Sequence, residues 1–142
     1  MSDLLAVEVK LVNQKVRFTG SARSLPSVDA DYFPPLGEGE GYTGLELLLL
    51  SLAVCSATSI VSLLRRMKKT VVDFRVGASG SRREQHPTSF SRITLSFMLV
   101  SPDAADADVQ KAIRMSEESL CPVWAMLKGS VEIVSELKLI AG

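Results

Sequence analysis

The chain has two cysteines, Cys55 and Cys121, and the setting of each allows two readings, a thiol that fills space and a thiol that does chemistry. Cys55 lies in SLAVCSATS, the middle of a long apolar run. At about 100° per residue, Leu48, Ser51, Leu52, Thr58, Ser59 and Ser62 share its helical face, a small and hydroxyl-rich stripe. Leu49, Leu50, Val54, Ala57, Val61 and Leu64 take the opposite side. One reading of the stripe is close packing against another helix, with Cys55 as a compact hydrophobe. The other is a polar recess around a reactive sulfur. Cys121 precedes Pro122, Val123 and Trp124, and proline is favoured as the first residue of a helix, so Cys121 falls at or near an N-cap. Free amides and the helix dipole there favour the thiolate, the reactive form. The plainer alternative is packing where Pro122 breaks one helix and starts the next. Two such thiols fit one chemistry. One attacks a peroxide O–O bond and becomes a sulfenic acid, and the other captures it as a disulfide. The fold must then bring their Cα atoms within roughly 7 Å.

The elements that must position these residues follow from periodicity. Leu5, Val7, Val9 and Leu11 alternate with Glu8 and Lys10, and Val16 and Phe18 alternate with Lys15, Arg17 and Thr19, which predicts an N-terminal hairpin turning at Asn13-Gln14. Ser24 to Tyr42, including PPLGEGEG, is expected to be a long loop. Thr43-Gly44-Leu45-Glu46 has the order of a capping box, so a helix is expected to begin there and run to about Lys69, with Arg65, Arg66, Lys68 and Lys69 complementing its negative end. Such a helix is about 40 Å long, more apolar surface than a small domain covers on every side, which points to a second subunit. Val72, Phe74, Val76 and Ala78, then Ile93, Leu95, Phe97 and Leu99, predict a second hairpin around SGSRREQHPTS. Val109, Ala112, Ile113, Ser116 and Leu120 have helical spacing, with Asp106 or Asp108 near the start. Val131, Ile133, Leu137 and Leu139 close the chain as a strand. The order is that of an α+β fold in one domain over residues 1–142.

Composition bounds the function. The chain of 142 residues balances 16 basic against 16 acidic residues, so no global field draws in nucleic acid. Leu47 to Leu64 carries no charge, but its serines and threonines and the absence of flanking aromatic belts favour a buried helix over a membrane span. No signal peptide is visible in MSDLLAVEVKLVN, and two widely spaced cysteines form neither a CxxC pair nor a zinc motif, so a reducing cytoplasmic setting is expected. The sole histidine, His86, reads as a solvated loop residue, and Arg82, Arg83 and Glu84 as a charged turn.

The helix LELLLLSLAVCSATSIVSLLRRMKK, the VVDFRV strand, the SRRE loop and the late CPVWAML segment resemble the OsmC/Ohr family of osmotically inducible and organic hydroperoxide resistance proteins, over nearly the whole chain. The pattern looks closest to the uncharacterised OsmC-like branch. The resemblance implies an OsmC-like fold: an N-terminal hairpin, a long central helix carrying Cys55, a second hairpin, a helix pair and a final strand, in an intertwined homodimer with active sites at the subunit interface. It also implies that Cys55 is the peroxidatic sulfur and Cys121 the resolving one, whereas the N-cap argument alone favours Cys121 as nucleophile. Two positions depart from the peroxidases. The glutamate expected ten residues before the first cysteine is Leu45 here, with Glu46 one step off and already assigned to the capping box. The loop expected to supply an arginine to the thiol contains none between Ser24 and Tyr42, which leaves Arg17 and Arg23 as candidates.

The leading expectation is therefore a cytoplasmic thiol peroxidase for organic hydroperoxides. Its catalytic candidates are Cys55, Cys121, Arg17 and Glu46, it calls for no metal, flavin or haem, and by resemblance a dithiol of the lipoyl type regenerates it. The alternative is a non-catalytic dimer that binds a small apolar ligand at the subunit interface. A general disulfide reductase is a third reading, weakened by the lack of CxxC.

Overall fold

The computed structural model describes residues 4–142. They divide into two compact units, one ending at Leu48 and the other spanning Leu49–Gly142.

The N-terminal unit contains a three-stranded antiparallel sheet, β1 (Glu8–Leu11), β2 (Phe18–Ser21) and β3 (Val28–Ala30), in that spatial order. The hairpin between β1 and β2 turns where Asn13 directs it: its Oδ1 accepts the backbone N–H of Lys15 at 2.9 Å and of Arg17 at 3.1 Å. The segment expected to be loop throughout contains β3, which pairs Phe18↔Ala30 and Gly20↔Val28. Three residues flanked by proline and acid give too short an alternation to mark a strand. After β3 the chain folds around Asp31, whose carboxylate accepts the N–H groups of Tyr32 (2.7 Å), Glu38 (3.2 Å) and Glu40 (3.1 Å). The glycines of GEGEG serve this turn. A Cβ at Gly41 would lie 2.6 Å from the Asp29 carbonyl oxygen, and one at Gly37 would meet the Tyr32 carbonyl oxygen. Burial pushes the Asp31 carboxyl up, but the three amides and the Arg17 guanidinium outweigh it and hold it below the ordinary carboxylate range.

Helix α1 (Gly44–Arg66) starts in this unit, on the predicted capping box: Thr43 Oγ1 accepts Glu46 N–H at 3.2 Å and Glu46 Oε1 accepts Thr43 N–H at 2.9 Å. It stops three residues before the expected Lys69. Lys68 turns into the left-handed region at φ 61°, Lys69 N–H bonds the Leu64 carbonyl and Lys68 N–H the Arg65 carbonyl, which is a Schellman closure.

The second unit holds the rest of α1 and a three-stranded sheet, β4 (Asp73–Arg82), β5 (Phe90–Val100) and β6 (Glu132–Ile140), with β5 in the centre. β4 and β5 are antiparallel, as the hairpin pattern predicts. β6 runs parallel to β5, pairing Ile93↔Ile133 and Leu99↔Leu139. A parallel neighbour requires a crossover, and α2 (Asp106–Met115), a π-helical turn (Ser116–Leu120) and α3 (Pro122–Leu127) supply it. The core of this unit is built from Leu52, Ile60, Leu63 and Leu64 of α1, the alternate residues Ile93, Leu95, Phe97 and Leu99 of β5, Val109, Ala112 and Ile113 of α2, and Cys121 with Trp124. The buried stripe of α1 is therefore Leu52, Ser56, Ile60, Leu63 and Leu64, and not the Leu49–Leu50–Val54 side that the helical wheel sets opposite Cys55. Val54 is 68% exposed and Leu50 49%.

Candidate functional site

The crossover brings the second cysteine to the first. The π turn carries the backbone from α2 to Cys121, whose N–H bonds the Ser116 carbonyl at 2.9 Å. Pro122 has no N–H to continue the ladder, so Cys121 steps out into extended backbone (φ −85°, ψ 107°) and becomes the N-cap of α3, as its sequence setting predicts. Its Sγ accepts the N–H of Trp124 at 3.4 Å.

The two thiols meet. The Cys55 thiol on α1 is near enough to Cys121 and to the Val123 amide for both to act on its ionisation, and the next residue on the helix, Ser56, places its Oγ 3.8 Å from Cys121 Sγ. Both cysteines are free thiols, Cys121 buried and Cys55 partly exposed. The first turn of α3 thus serves both sulfurs, Val123 N–H for one and Trp124 N–H for the other. Burial pushes the Cys55 thiol up; the Val123 amide opposes this, and the neighbouring Cys121 adds to it.

The hydroxyl stripe around Cys55 is less of a recess than the sequence suggests. Thr58 Oγ1 turns back to the Val54 carbonyl at 2.8 Å and Ser59 Oγ to the Cys55 carbonyl at 3.2 Å, so both are occupied by the helix itself. The hydroxyl that reaches a sulfur belongs to Ser56, on the buried face, at 3.8 Å from Cys121 Sγ. Sequence reasoning passed over Ser56; the available signal was a serine at helical spacing from Leu52, Ile60 and Leu63 inside a core stripe. Ser116, at the start of the π turn, buries a hydroxyl with no hydrogen-bond partner among the described residues.

The other two candidates lie in the N-terminal unit. Arg17 pairs with Asp29 at 3.6 Å and lends its charge to Asp31. Glu46 is held by the capping box. Arg23 occupies a left-handed turn position at φ 55°. In the second unit His86 is exposed in the loop between β4 and β5, and Trp124 is core, 1% exposed. The site gathers two thiols, with backbone amides and one buried hydroxyl around them, the groups that thiol–disulfide exchange uses.

A family model described as OsmC-like protein matches residues 37–136. The chain is 35% identical over 97 residues to Protein YhfA of Escherichia coli strain K12, which covers 68% of this chain and 72% of YhfA. Among solved structures it is similar to a hypothetical protein from Aquifex aeolicus VF5, with a TM-score of 0.82 at 28% identity, covering 97% of this chain and 98% of that one. It is also similar to an organic hydroperoxide resistance protein OsmC from Legionella pneumophila, with a TM-score of 0.70 at 14% identity, covering 95% and 96%, a likeness that shows the fold alone.

Proposed function

This chain belongs to the OsmC-like protein family, and from that membership we propose that it is a thiol-dependent peroxidase for organic hydroperoxides, with Cys55 as attacking sulfur and Cys121 as resolving sulfur. The observation that carries the reading is that the fold brings these two thiols, one partly exposed and one buried and far apart in the chain, near enough to act on each other, with Ser56 beside Cys55 reaching Cys121 Sγ at 3.8 Å. The exposed partner is the one a substrate reaches, which favours Cys55 over Cys121 as nucleophile. Its thiolate attacks the O–O bond; the alcohol leaves with a proton, and the sulfur is left as sulfenic acid. The Cys121 thiol then displaces water to form the disulfide, and an external dithiol of the lipoyl type restores both thiols at the expense of its own oxidation. Arg17 and Glu46 have structural roles within the N-terminal unit, so the proposal rests on the two sulfurs and the backbone amides of α3. The chemistry needs thiols kept reduced between turnovers, which suits the cytoplasm.

We further assign the active form to a homodimer. Helix α1 is long and apolar enough to cross a membrane, and only 28% of its most apolar window is buried. Val54 and Leu50 on its exposed side need a cover that a second copy would supply.

The direct test is to treat the purified protein with cumene hydroperoxide and weigh it. Loss of two hydrogens per chain, abolished in Cys55→Ser, is expected. Cys121→Ser should instead stop at a sulfenic acid that dimedone traps. Thiols that survive stoichiometric peroxide unchanged would reject the peroxidase and favour the second reading, a dimer that binds a small apolar ligand. The upward push of burial on the Cys55 thiol is the observation on that reading's side.

A further inference from the structure

In the reductive half of a thiol–disulfide cycle, one sulfur of the disulfide must leave with an electron pair, and the rate depends on how well that departing thiolate is stabilised. The surroundings of Cys121 fit that task. Cys121 is 2% exposed, and the side chains beside it, Ser56 and Trp124, are 0% and 1% exposed, so water does not solvate a charge formed there. Two donors face the sulfur instead: the Trp124 N–H at 3.4 Å, fixed by the N-cap, and the Ser56 hydroxyl at 3.8 Å, fixed by α1. In the reduced protein either the hydroxyl or the thiol can be the donor of this bond, and the hydroxyl donates when the sulfur is an anion. Its neighbours on the same helix, Thr58 and Ser59, spend their hydroxyls on helix carbonyls; Ser56 does not.

We propose that Ser56 is a positioning residue for the reductive step: it directs an external dithiol to the Cys55 sulfur by stabilising Cys121 as the leaving thiolate. The inference rests on the thiol–disulfide reading of the site. One thiolate of the dithiol attacks Cys55 Sγ, the Cys55–Cys121 bond breaks, and the electron pair departs on Cys121 Sγ, where Ser56 and the Trp124 amide receive it. The second thiol of the reductant loses its proton and attacks its own sulfur in the mixed disulfide, which releases Cys55 as thiolate. Two protons then complete two protein thiols, and the reductant ends as a cyclic disulfide. Ser56 contacts Cys121 Sγ and on this proposal acts only where that sulfur carries charge, so formation of the Cys55 sulfenic acid by peroxide does not depend on it.

The test forms the disulfide with diamide, so that it does not depend on peroxide, and follows its reduction by dithiothreitol through timed thiol trapping. Ser56→Ala is expected to slow reduction about tenfold, the effect of losing one hydrogen bond to a charged sulfur. Ser56→Thr, which keeps the hydroxyl, should recover most of the rate. Oxidation of Cys55 by cumene hydroperoxide should be unchanged in both. A merely structural serine would lower oxidation and reduction together, and that result overturns the proposal, as does equal reduction of Ser56→Ala and wild type. In the wild type, limited 2-mercaptoethanol should leave its adduct on the peptide carrying Cys55; an adduct on Cys121 overturns the proposal without any variant. Cumene hydroperoxide that fails to oxidise Cys55 rejects the peroxidase and leaves this result standing, whereas diamide that fails to close the disulfide rejects both.

Discussion

Cys55 is partly exposed on α1, and the loss of water around its sulfur is the largest influence on its ionisation, pushing the thiol above its ordinary range. The Val123 amide pulls the other way, and the Cys121 thiol adds to the upward push. The sign has two consequences. Because the native thiol keeps its proton where an unfolded cysteine would lose it, this group's contribution to stability is full below the unfolded value and is lost as pH rises through the native one. Because the thiolate is the nucleophile, the reactivity of Cys55 climbs over the same alkaline window. The rate of alkylation by iodoacetamide, followed against pH in Cys121→Ser so that only one thiol reports, is expected to reach its midpoint above the usual cysteine value of about 8.5. A midpoint below that value would mean that a cation, and not burial, governs the sulfur.

Helix α1 owes its start to a strong local signal and its end to a strained one. The capping box at Thr43 and Glu46 uses residues suited to it, whereas the closing turn places Lys68, a residue with a Cβ, at φ 61° where glycine is usual. Both Schellman hydrogen bonds are formed, so the conformation is held despite its cost. Lys68 is exposed. Lys68→Gly is therefore expected to stabilise the protein by about 0.5–1 kcal/mol, since relief of the left-handed penalty exceeds the modest loss of a charge near the helix C-terminus. Thermal unfolding measures it; a lower Tm in the variant would show that the lysine side chain holds the turn. The π turn before Cys121 is the second element with a job: it delivers Cys121 to the cap of α3 and leaves the Ser116 hydroxyl buried without a partner among the described residues.

At the scale of the whole molecule, the apolar surface left on α1 matters most. Val54 is 68% exposed in the middle of the longest helix, one residue before Cys55. If a second copy covers this face, Val54→Arg buries a charge without a partner and should convert the dimer to single chains in light scattering at micromolar concentration. The core of the second unit does not use Val54, so circular dichroism should keep its native form. A wild-type protein that already scatters as one chain would remove the dimer from the proposal.

The sequence by itself determined what depends on neighbours a few residues away. The alternation of Ile93, Leu95, Phe97 and Leu99 marked β5, the Thr43–Glu46 spacing marked the start of α1, and Pro122 placed Cys121 at a cap. Only the tertiary structure decided which face of α1 is inside, because a helix apolar on nearly every side carries no moment strong enough to choose, and the choice fell on Leu52, Ser56, Ile60 and Leu63. It also decided that β6 returns parallel to β5, and so that the crossover between them carries Cys121 to Cys55. A contact between residues so far apart in the chain depends on how the intervening elements pack, and no spacing in the sequence records that.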